Sequence, residues 1–103
     1  MLTYAPMGAK LHVKPARAEP FELAIGNTAT IGRTRENTVC LGFSRLVSRQ
    51  HAIIRCHNGY QYQIIDLGSR NGTFVDDQRV VTPIVLANGA RIRIADNLIT
   101  FHG

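Results

Sequence analysis

The stretch VSRQHAIIR (Val47–Arg55) sets a serine, two arginines and a histidine at the start of a strand-forming run. A second stretch, DLGSRNGTFV (Asp66–Val75), adds another Ser-Arg pair ahead of Asn-Gly. Two chemistries could use such residues. Ser48, His51 and Asp66 are the types of a nucleophile, its base and an orienting acid. Alternatively, Arg33, Ser48, Arg49 and Arg70 could clamp a small anion, because the planar guanidinium fork suits bidentate capture of carboxylate or phosphate. The catalytic reading is weak on spacing. The chain has no Gly-x-Ser-x-Gly elbow, and Ser48 and His51 stand only three apart at a loop-to-strand junction. No catalytic residue, and hence no enzyme, is expected. No metal or cofactor is expected either, since His12, His51, His57 and His102 are scattered without paired ligand spacing.

Charge sharpens the choice. Twelve basic residues against seven acidic ones give a net charge of +5, and ten of the twelve are arginine. Any single arginine is best read as a solubilising surface group, so an anionic partner follows only if several share one loop cluster. Nucleic acid is the rival anion. Surfaces that bind single strands normally add aromatic platforms for the bases, and this chain has no Trp. Tyr4, Tyr60, Tyr62, Phe21, Phe43, Phe74 and Phe101 read mostly as core or strand-pair residues. Nucleic acid is therefore not the expected partner.

The elements that must position these loops are short strands. At 103 residues and 45% hydrophobic, the chain fits one domain with a single core. Segments 9–14, 21–25, 28–32, 51–56, 60–66, 73–75, 78–81, 90–95 and 98–102 are rich in branched and aromatic residues and often alternate. In ARIRIA, Ile92 and Ile94 should face the core while Arg91 and Arg93 face water. Asn58-Gly59 signals a two-residue hairpin, and Asp76-Asp77, Asn88-Gly89 and Asp96-Asn97 mark further turns. No apolar pattern of helical period runs for ten residues, so the expected class is all-β. The polar segments 33–50 and 67–72 are the long loops, and loops of a sandwich gather at its two ends. Residues 1–8 are expected to be a flexible lead-in to a domain over 9–103. Cys40 and Cys56 fit no metal or redox spacing and are expected to be reduced core residues. Asn71-Gly72-Thr73 matches a glycosylation pattern that matters only in an exported chain. The N-terminus lacks a signal-peptide pattern, and no apolar run reaches the ~18 residues of a membrane span. A cytoplasmic location without membrane contact is the expectation.

Four motifs now line up: Gly32-Arg33, then Ser48–His51, then Asp66–Val75, then Leu86–Ile94. In this order and spacing, over roughly residues 10–101, the chain resembles the forkhead-associated (FHA) domain. The resemblance implies a β-sandwich of about eleven strands that binds threonine-phosphorylated peptides or proteins in signalling, through loops at one end. It implies that Arg33 and Ser48 contact the phosphate, and that Arg49 and Arg70 touch the phosphate or adjoining peptide. Asn71 would bond the ligand backbone. His51 would brace the binding loops, Gly32 would permit the turn, and Gly72, like Asp66 and Thr73, would be scaffold. A small pocket for the threonine methyl group is also implied. Segment 34–47 would set the preference for residues after the phosphothreonine. Ala90 and Ala95 depart from the acidic and glycine residues frequent at those positions in the family, which puts local turn detail in doubt. The alternative is a scaffold of the same fold that binds an unphosphorylated surface or self-associates.

Overall fold

The computed structural model describes residues 8–103. The expected lead-in therefore lies outside the described residues except for Gly8, and so does Tyr4. Among the described residues, eleven strands and no helix build two sheets. They are β1 (Lys10–Lys14), β2 (Phe21–Ala24), β3 (Thr28–Gly32), β4 (Val39–Cys40), β5 (Ala52–His57) and β6 (Gln61–Asp66), followed by β7 (Phe74–Val75), β8 (Gln78–Arg79), β9 (Ile84–Val85), β10 (Arg91–Ile94) and β11 (Asn97–His102). The six-stranded sheet runs β2-β1-β11-β10-β7-β8 and the five-stranded sheet β4-β3-β5-β6-β9. All pairings are antiparallel except β3 with β4, where Ile31 faces Val39.

Alternation decides which faces meet. Leu11, Val13, Ile92, Ile94, Ile99 and Phe101 leave one sheet, and Ala29, Ile31, Ala52, Ile54, Tyr62 and Ile64 leave the other, all buried in one core. Each large aliphatic side chain contributes about 1.5–3 kcal/mol by leaving water. Arg91 and Arg93 are exposed between the buried Ile92 and Ile94. Tyr62 closes the core against Phe101, with ring centroids 5.3 Å apart, while its hydroxyl donates to the Gly26 carbonyl at 2.7 Å.

Several local expectations need correction. The two-residue strands β4 and β9 were not anticipated, whereas β7 and β8, equally short, lie within the expected segments 73–75 and 78–81. The Asn58-Gly59 hairpin has a three-residue loop, with His57 opposite Gln61, although both residues take positive φ. Asn97 belongs to β11, and the last hairpin turns on Ala95-Asp96. The cysteines are unpaired; Cys40 is exposed and so not a core residue, whereas Cys56 is partly buried and packs against the core. Of the aromatics, Tyr62 and Phe101 are buried, whereas Tyr60, Phe43 and Phe21 are exposed.

Candidate functional site

Both long loops reach the same end of the sandwich. Between them lies an open hollow of about 390 Å³, lined by Arg33, Arg45, Ser48, Arg49, Arg70 and Asn71 among others. The chain reaches this arrangement through backbone approach. β3 ends at Gly32, where an added Cβ would overlap the Arg49 carbonyl and crowd the Asn37 amide. Gly32 is not among the positive-φ residues, so close approach, rather than a turn conformation, demands glycine here. The contact lets Arg33 N–H donate to the Ser48 carbonyl at 3.0 Å. The buried Asn37 secures the same point, its side-chain amide donating to the Arg49 carbonyl at 2.9 Å and to the Thr34 hydroxyl at 3.0 Å.

His51 is fully buried and ties three segments together. Its Nδ1 accepts from the Ser48 backbone N–H at 3.0 Å, and its Nε2 donates to the Gly72 carbonyl at 2.8 Å. These partners fix a neutral ring with the proton on Nε2. Neither nitrogen is aimed at the Ser48 hydroxyl, so the ring is not placed as a base for it. The third member of the triad considered above is occupied as well. Asp66 accepts from the Ser69 and Thr73 hydroxyls at 2.6 and 2.7 Å and from the Ser69 N–H at 2.9 Å. Burial pushes the Asp66 carboxyl up, but the bonds from Ser69 and Thr73 outweigh it and hold the group below its ordinary value. Gly72, at φ 90°, turns the chain so that its carbonyl meets His51.

With the frame fixed, the free valences face the hollow. Ser48 Oγ accepts from the Arg70 N–H at 3.1 Å, and among the described residues its own proton has no acceptor. Asn71 donates from Nδ2 to the Leu46 carbonyl at 2.9 Å, leaving its side-chain oxygen and second N–H available. Among the described residues the one ion pair is His12–Glu22, so no carboxylate pairs with Arg33, Arg45, Arg49 or Arg70. Like charges gathered without counter-charge favour an incoming anion. Arg45 escaped the sequence reading, although Ser44-Arg45 repeats the Ser-Arg pairing of 48–49 and 69–70. Asn37 escaped it too, since nothing in an isolated asparagine signals burial. A second hollow of about 250 Å³, shared by Phe43, Arg45 and Leu46 with Arg17 and Asp96, adjoins the first.

Known proteins resemble this chain in sequence and in fold. A family model described as the FHA domain matches residues 29–95. The transcriptional regulatory protein EmbR of Mycobacterium tuberculosis is 38% identical over 95 residues, covering 91% of this chain and 23% of EmbR. The structure of that organism's EmbR in complex with a low affinity phosphopeptide aligns at TM-score 0.77 and 37% identity, over 91% of this chain and 24% of that one. An FHA domain solved in work on phosphothreonine-dependent FHA domain interactions aligns at TM-score 0.75 and 27% identity, over 92% of this chain and 95% of that one. The chain spans about a quarter of EmbR's length. A match across most of the sandwich, carrying both binding-end loops, means that this chain belongs to the FHA domain family.

Proposed function

We propose that this chain is a phosphothreonine-dependent peptide-binding module of signalling, working in the cytoplasm on a threonine-phosphorylated protein. The observation that carries the reading is the hollow itself, where four arginines without carboxylate partners surround a serine hydroxyl with an uncommitted proton. A phosphate on a side chain brings about −1.5 to −2 charge and three acceptor oxygens. Arg33 and Ser48 bind that phosphate, with Arg49, Arg70 and the newly found Arg45 at its flanks. Asn71 reads the ligand backbone through its remaining amide valences. Gly32, His51 and Gly72 hold the loops in place. The EmbR complex, which holds a phosphopeptide, supports the same ligand class here. Side chains after the phosphothreonine would meet the adjoining hollow, which shares Arg45 and Leu46 with the first. That arrangement supports a role for segment 34–47 in sequence preference.

The test is calorimetric titration of phosphothreonine peptides into the protein and into Arg33→Ala and Ser48→Ala variants. Loss of binding in both, with unchanged melting, supports the assignment. Unchanged affinity in both removes it.

A further inference from the structure

The register of the six-stranded sheet places Lys10 and Lys14 of β1, Arg91 and Arg93 of β10, and Arg79 of β8 on its outer face. These are five of the chain's twelve lysines and arginines. The carboxylate on that face, Glu22, is engaged by His12 at 3.2 Å, and Asp76 and Asp77 lie at its edge, in the β7–β8 turn. The outer face of the other sheet differs. Thr28, Thr30, Ile53, Gln61, Gln63 and Ile65 line it, and Arg55 is its one full cation. Charge that served solubility alone would be spread over both faces, whereas a net positive charge gathered on one face directs association. Asp76 and Asp77 share a hollow with Arg91 and Arg93, so five cations on this face stand against three carboxylates and leave it net positive.

We infer that the outer face of the six-stranded sheet is a second docking surface, for an acidic segment of a protein partner. The face favours carboxylates over nucleic acid. Its one phenyl ring, Phe74, is already covered by the Arg93 guanidinium, 4.4 Å from the ring centroid, with Arg79 at 5.9 Å, so no Phe, Tyr or Trp platform is open for a base to stack on. Among the described residues no helix is available to enter a groove. The sheet does present guanidiniums, on alternate residues of β10, that can chelate carboxylates bidentately. Arg79 also lies beside Gly72, its guanidinium 3.2 Å from where a Cβ would stand. The face thus continues to the rim of the phosphate hollow, and one partner could occupy both.

The experiment is fluorescence anisotropy with labelled octaglutamate and, in parallel, a labelled DNA duplex. It uses the wild-type chain, the double variant Arg91→Glu/Arg93→Glu, and Lys14→Glu, which leaves the Phe74 stack intact. The inference expects octaglutamate to bind wild type, about tenfold or more weaker to the double variant, and measurably weaker to Lys14→Glu. Ser48→Ala should leave octaglutamate binding unchanged, which separates this surface from the phosphate site. Equal octaglutamate binding by wild type and both charge-reversal variants would overturn the inference. So would octaglutamate binding that Ser48→Ala abolishes, or DNA binding tighter than octaglutamate and lost in the same variants.

Discussion

His51 does not line the hollow, yet it holds the backbone of Ser48, which does. Replacing His51 with alanine leaves the Ser48 N–H and the Gly72 carbonyl without their buried partners, at about 1–3 kcal/mol each. His51→Ala should therefore lower both the melting temperature and phosphopeptide affinity, whereas Ser48→Ala should lower affinity alone. Differential scanning calorimetry beside titration separates the two, and a fully stable His51→Ala that fails to bind would contradict the bracing role. Asp66 acts one step further back. Its folded pKa is depressed, so its contribution is complete above the unfolded value of about 4 and fades as pH falls through the lower folded value. Urea unfolding from neutral pH to about 2 should show wild type losing its advantage over Asp66→Asn in that acidic window. A stability gap independent of pH would argue against the charge-based account. The residues that touch the hollow were legible in the sequence because they fall in motifs. Arg45 was not, because an exposed arginine in a polar loop looks like any solvated one.

Strands were legible where alternation ran long enough to show a period. β1, β5, β6, β10 and β11 have four to six residues each, and their buried faces follow from residue type. β4 lacks that signal. Val39 turns into the core and Cys40, beside it, turns out, which is why cysteine's usual burial misled. Turn identity was legible where two residues are suited to positive φ. Asp76 and Asp77 both adopt it, at 47° and 69°, and join β7 to β8 as a two-residue hairpin loop. Ala95 is the exception, holding φ 55° with a Cβ that disfavours it. Glycine there relieves the clash but adds freedom to the unfolded chain. The net expectation for Ala95→Gly is a gain of about 0.5–1 kcal/mol, read as a higher urea midpoint with unchanged slope. A lower midpoint would show that Ala95 is unstrained in solution.

At the scale of the whole molecule, two sheets supply the frame that brings both long loops to one end. Net charge alone, at +5, did not separate nucleic acid from phosphoprotein. Among the described residues no carboxylate pairs with the arginines around the hollow, which suits an incoming anion without choosing between the two. Steering by such a field weakens with salt, since the screening length is about 8 Å at physiological ionic strength, but contacts inside the hollow are less exposed to it. Selectivity between matched ligands is therefore the sharper test. One buried methyl contributes about 0.8 kcal/mol, roughly fourfold, and threonine's stiffer χ1 presents its phosphate at lower entropic cost than serine's. The measurement is calorimetric titration, at physiological salt, of three peptides identical except for phosphothreonine, phosphoserine or unmodified threonine. The account predicts that phosphothreonine binds about tenfold or more tighter than phosphoserine, with no detectable heat from the unmodified peptide. Equal binding of all three would contradict it.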